Sequence, residues 1–217
     1  MNNKHEIPDS HLLEHLNENV SLRLSGRLLE TGESQYQRYE VWETDALGRL
    51  FRLDGRAMTS EGDEFLYHES LVHPAAVMID QPRRALVLGG GDGGSARQLL
   101  RHPSIEHVDI VELDAKVVDL SRRYLNTVHQ GALDDPRVCL HIDDAEHYIR
   151  STALPARLSY DLIVFDLTGS DGLAASLYQP AFLRACQQLL TQTAGLLTLH
   201  LGSLSHRPQQ IGMGRNL

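Results

Sequence analysis

The sequence predicts an α/β protein: a mostly parallel sheet covered by helices on both faces, preceded by a small N-terminal antiparallel β domain. Three observations predict it. After residue 80, short apolar runs alternate with segments of helical length. Before residue 75, shorter alternating segments are divided by turn residues. Between the first apolar run and the first of these helices stands an unbroken run of small residues, Gly89-Gly90-Gly91-Asp92-Gly93-Gly94. A chain of 217 residues has room for one α/β domain with a small appendage.

In the first part, Ser21 to Leu28, Tyr36 to Thr44 and Leu50 to Leu53 read as strands. Turn chemistry at Thr31-Gly32, Asp45 to Gly48 and Asp54-Gly55 divides them. Glu64 to Val72 begins a helix that Pro74 interrupts or ends. Residues 1–75 are therefore read as a β-rich domain with the start of a linking helix, and residues 76–217 as a Rossmann-like domain. There the strands are Ala85 to Leu88, His107 to Leu113, Val138 to Ile142, Leu162 to Phe165 and Gly195 to Leu201. Helices are expected at Ser95 to Leu100, Val117 to Leu125, Ala145 to Arg150 and Leu177 to Leu190. Buried strands alternating with helices imply a parallel sheet covered on both sides, whose ligands bind at the carboxyl ends of its strands.

Charge and composition narrow the function. A formal charge of -9 argues against nucleic acid, which wants a basic field. No apolar run reaches the ~18 residues of a membrane span. The polar, acidic segment from Met1 to Ser21 lacks the apolar core of a signal peptide. Cys139 and Cys186 form no ligand-like cluster and read as buried thiols in a reducing compartment. The expected location is cytoplasmic, with neither nucleic acid nor membrane as partner.

The glycine run follows a strand and opens a helix, as a dinucleotide fingerprint does, and Glu112 ends the next strand where a ribose hydroxyl would lie. Asp92 inside the loop would repel a pyrophosphate and attract a sulfonium or an amine, or else it caps the helix. Asp92, Glu112, Asp144 and Asp166 each end successive strands and should line one edge of the sheet. Of Asp143 and Asp144, one caps the following helix while the other faces the ligand.

Here the residues become familiar. Tyr36-Gln37, Leu53-Asp54-Gly55, Asp63-Glu64-Phe65-Leu66-Tyr67-His68-Glu69, Leu86 to Gly94 and Val111-Glu112-Leu113-Asp114 together resemble the spermidine synthase (polyamine aminopropyltransferase) family. The likeness covers about residues 34 to 205. It implies a methyltransferase-type sheet and transfer of an aminopropyl group from decarboxylated S-adenosylmethionine, a co-substrate, to a polyamine. No prosthetic group or metal is implied, and family members are commonly homodimers or homotetramers. By resemblance Gln37, Glu112, Asp144, Ala145 and Leu173 hold the nucleoside. Tyr67, His68 and Asp92 meet the polyamine, and Asp166 is the base.

The chain departs from the family pattern after the fourth strand. It reads Asp166-Leu167-Thr168-Gly169-Ser170-Asp171-Gly172-Leu173, with Gly169 where the family carries a second acid. That start resembles spermine synthases instead. Met58 stands where many members have glutamine. Both changes fall on the acceptor side, leaving the acceptor amine open. After the fifth strand the sequence lacks core-like periodicity, so the final strands of the family sheet are expected to be missing. Two other readings of the same residues stay open: an S-adenosylmethionine-dependent methyltransferase, and a truncated, non-catalytic nucleoside- or polyamine-binding remnant.

Overall fold

The structure is a computed structural model that describes residues 10–16, 19–167, 172–192 and 194–201. Contacts divide the chain into two compact units, Met1–Asp63 and Glu64–Leu217.

The first unit is a five-stranded antiparallel sheet in the order β1-β2-β3-β4-β5. Its strands are β1 (Ser10–His15), β2 (Ser21–Glu33), β3 (Arg38–Thr44), β4 (Gly48–Leu53) and β5 (Arg56–Ser60). Asp54 and Gly55 both adopt positive φ, 48° and 76°, the backbone a tight hairpin between twisted strands demands. Leu12, Trp42 and Leu50 form a small core, with Leu24 packed against it. The expected turn at Thr31-Gly32 is corrected: β2 runs through both residues, and the reversal comes at Ser34, whose backbone N–H donates to Gln37 O at 2.9 Å. Gly32 pairs with Tyr39, and a Cβ there would lie 2.5 Å from the Tyr39 hydroxyl. That glycine makes room for a cross-strand ring and does not turn the chain.

The second unit is a five-stranded sheet in the order β10-β9-β6-β7-β8, parallel throughout. It comprises α1 (Glu64–Met78), β6 (Arg84–Gly89), α2 (Gly94–Leu100), β7 (His107–Glu112), α3 (Ala115–Tyr124), α4 (Asn126–His129), β8 (Val138–Ile142), α5 (Ala145–His147), β9 (Leu162–Asp166), α6 (Pro180–Leu189) and β10 (Leu196–Leu199). A π-helical stretch, Tyr148–Ala153, continues α5, and a 3₁₀ turn, Ala175–Tyr178, precedes α6. The helix expected from Leu177 therefore starts only at Pro180, which supplies the fixed φ of a first helical position.

Alternation along the strands feeds two cores. Ala85, Val87, Val108, Ile110 and Val164 pack with Leu71, Val72, Ala75 and Ala76 of α1. Leu86, Leu88, Val111, Ile163 and Phe165 pack with Ile149, Phe182 and Cys186. Helix α1 also corrects an expectation, because it runs four residues beyond Pro74 to Met78. Its buried stripe of Leu71, Val72, Ala75 and Ala76 spans the proline, and packing on the sheet outweighs the lost backbone bond. Cys186 is buried as expected, but Cys139 is exposed. It sits on β8, the last strand of the sheet among the described residues, where one flank has no neighbouring strand. No helix among the described residues is long and apolar enough to cross a membrane.

Candidate active site

The order of the parallel sheet reverses at β6, with β7 and β8 on one side and β9 and β10 on the other. Crevices for ligands open at the carboxyl ends of such a switch point. Gly89 at the end of β6 pairs with Asp166 at the end of β9, and Gly90 N–H donates to Asp166 O at 3.0 Å. The glycines that follow make room for neighbouring acidic and basic side chains. A Cβ on Gly91 would lie 2.8 Å from Glu112 Cγ, and one on Gly94 only 2.2 Å from His68 Cε1.

His68 reaches that spot from α1. The buried face of this helix runs Glu64, His68, Leu71, Val72, Ala75, Ala76, a stripe at helical spacing whose first two members are polar. His68 Nδ1 lies 2.7 Å from Glu64 Oε2, and Arg97 Nη2 of α2 donates to Glu64 Oε1 at 2.7 Å. On its other side, His68 Nε2 is 3.4 Å from Asp92 Oδ2 and 3.9 Å from Asp166 Oδ2. Both His68 Nε2 and Asp166 Oδ2 are shut off from solvent without a hydrogen-bond partner. Buried polar atoms are ordinarily paired, and these two are held instead by charge, in an ion-pair cluster with Asp92.

The electrostatics follow from this geometry. Burial alone would lower the His68 pKa, but Asp92, Glu64 and Asp166 overcome it and raise it to about 11, so the ring is an imidazolium. Burial raises Asp166; His68 pulls it back down and Asp92 pushes it up. The Tyr67 hydroxyl is pushed well above its ordinary value by burial and by Asp166. By formal charge, three carboxylates (Glu64, Asp92, Asp166) set against two basic side chains (His68, Arg97) leave one excess negative charge. Near a surface, one such charge attracts an ammonium ~4 Å away by about 4 kcal/mol.

Tyr67, His68, Asp92 and Asp166 thus come together, with Tyr67 edge-on to His68 at 5.1 Å. Asp92 Oδ1 accepts from Gly94 N–H at 2.9 Å at the start of α2, while Oδ2 lies 3.4 Å from His68 Nε2. Glu112 lies beside them, its carboxylate accepting from Gly91 N–H at 3.1 Å and Asp114 N–H at 2.9 Å. Burial raises its pKa to about 7. Asp144 is the helix cap of its pair, Oδ1 accepting from His147 N–H, and Asp143 instead meets the His147 ring at 2.8 Å. Ala145 is buried one residue further, and Leu173 is exposed. Gln37 belongs to the first unit. Gly169 and Asp171 fall outside the described residues, as does the segment after 201.

Sequence reasoning missed Glu64 and Arg97. Glu64 was readable, because it stands four residues before His68 on a predicted helix. Arg97 was not, since its partner is 33 positions away.

The family model described as spermine/spermidine synthase domain matches residues 64–207, which include this cluster. The chain belongs to the spermine/spermidine synthase family. Among its relatives, the polyamine aminopropyltransferase of Nitrosomonas europaea is 45% identical over 180 residues, 83% of this chain and 54% of that protein. The polyamine aminopropyltransferase of Thermococcus onnurineus is 40% identical over 185 residues, 85% of this chain and 63% of that protein. The chain thus spans a little over half the length of such curated relatives. A spermidine synthase solved in complex with the transition-state analogue AdoDATO superposes with a TM-score of 0.88 at 30% identity, over 95% of this chain and 70% of that one. The spermidine synthase of Thermotoga maritima gives 0.86 at 30% identity, over 96% and 69%. Both sheets of this spermine/spermidine synthase family member match the expected fold class.

Proposed function

We propose that the protein transfers an aminopropyl group from decarboxylated S-adenosylmethionine to a polyamine and releases methylthioadenosine. The observation that carries this reading is the meeting of Asp92 and Asp166 around His68 Nε2, with one negative charge left for a cation. Aminopropyl transfer is an in-line displacement in which an amine lone pair attacks the carbon next to the sulfonium. The C–S bond breaks and its electrons neutralise the sulfur, so the leaving group needs no acid. The amine does need a base, since an alkylammonium with a pKa of ~10 is almost wholly protonated at neutral pH. An ordinary carboxylate lies some 6 pKa units below it, and raising Asp166 by burial narrows that gap. Asp166 takes the proton, while Asp92, Tyr67 and His68 orient the amine.

Glu112, Asp144, Ala145, Leu173 and Gln37 are assigned to the nucleoside on the family resemblance, Asp144 although it is also the helix cap of its pair, as is assembly into two or four copies. The test incubates the full chain with decarboxylated S-adenosylmethionine and a panel of polyamines and follows methylthioadenosine by mass spectrometry. Release with at least one amine is expected. Release with none, or methyl transfer from intact S-adenosylmethionine instead, would overturn the reading.

A further inference from the structure

A second polar cluster, unused by this chemistry, lies across β7 and β8. His107 and Asp109 stand two apart on β7, as Cys139 and His141 do on β8, so each pair shares a face of the sheet. The parallel register sets Asp109 beside Cys139 and Val111 beside His141. Asp109 is buried, with one carboxylate oxygen on each side of a divided set of partners. Oδ2 accepts from the Tyr160 hydroxyl at 2.9 Å and lies 3.0 Å from His107 Nε2. Oδ1 faces His141 Nε2 at 2.9 Å. Tyr148 meets Tyr160 hydroxyl to hydroxyl at 3.2 Å, and its ring supports the His141 imidazole at 4.8 Å. The thiol of Cys139, an oxygen of Asp109 and a ring nitrogen of His141 all lie within 4.8 Å of one another, and Cys139 is open to solvent.

We propose that Asp109, Cys139 and His141 bind a divalent transition-metal ion of the zinc class, with solvent as a fourth ligand. A thiolate, an imidazole and a carboxylate together select such an ion over magnesium or calcium, which prefer oxygen alone. With metal–ligand distances of ~2.0–2.3 Å, ligands around a tetrahedral ion stand roughly 3.3–3.8 Å apart. The His141–Asp109 contact, at 2.9 Å, must therefore open by a few tenths of an ångström. His107 and Tyr160 hold the far carboxylate oxygen, the outer-shell support that ligating carboxylates ordinarily have. Arg84 Nη2, 3.7 Å from Oδ2, opposes a second cation, but its side chain is 42% exposed and can turn to solvent. On binding, the thiol proton leaves to water and the His141 proton passes from Nε2 to Nδ1 through solvent, so that neutral Nε2 ligates the ion. No electron is transferred.

Cobalt(II), added to the chelator-treated full chain, reports this site optically and independently of turnover. The expected result is a thiolate-to-cobalt charge-transfer band with the visible bands of a tetrahedral ion, both removed by zinc. Cys139→Ser, checked for folding by circular dichroism, should lose the charge-transfer band, and Cys186→Ala should keep it. His107→Ala should keep the band and weaken cobalt by ~10–100-fold. Absence of the band in the wild type, or its survival in Cys139→Ser, would overturn the proposal.

Discussion

Glu64 touches two cations at once, His68 on its own helix and Arg97 on α2. Its side chain is 6% exposed and that of Arg97 14%, so water compensates little if the pair is broken. Glu64→Gln removes the charge opposite Arg97, which keeps its bond to the Thr127 carbonyl but loses its ion pair, a change that costs about 3–5 kcal/mol in buried pairs. The urea midpoint should fall accordingly; an unchanged midpoint would show that Arg97 is satisfied elsewhere. Asp166 makes the opposite kind of prediction. Asp166→Asn preserves shape but cannot accept a proton, so turnover should drop by at least ~100-fold, the scale of general-base catalysis. Methylthioadenosine affinity, measured by calorimetry, should stay within a few-fold. A large loss of affinity would place Asp166 in the nucleoside pocket. Asp166 and His68 sit where they do because glycines at 90 and 94 leave room, Gly90 for Asp166 and Gly94 for His68.

At the level of elements, local pattern was a good guide where packing agreed with it. Val138 to Ile142 is the strand expected, residue for residue, and the other four parallel strands lie within their expected segments or within one residue of them. The alternation of β1 and β5 was too short to read against a polar background, and both are held as strands by their antiparallel neighbours. Helix α1 shows packing overriding a local signal. A proline inside a helix costs ~3 kcal/mol through its missing donor and its clash with the preceding turn. Its stiffening of the unfolded chain returns ~0.4–1 kcal/mol. Pro74→Ala should therefore stabilise the protein by about 2 kcal/mol, read as a higher melting temperature. A lower one would mean that the proline ring itself packs to advantage.

The molecule as a whole should lose stability on the alkaline side. His68 is raised from 6.5 to about 11, so the stability it contributes is complete below pH 6.5 and is lost as pH rises to about 11. Glu112 is raised from 4.5 to about 7; the contribution of its neutral form is complete below pH 4.5 and gone above about 7. Both slopes have the same sign. Urea midpoints should decline across 6.5 to 11, and His68→Gln should flatten that decline. An equally steep limb in the variant would contradict the assignment of the charge to His68. The parallel sheet, the glycine loop and the row of acids at its carboxyl edge were legible along the chain, because strand period, turn residues and strand-end position are local properties. Only packing brought Glu64 against Arg97 and left Cys139 facing solvent beside His141. Each depends on how separate elements pack or pair, and their spacing along the chain carries no record of that.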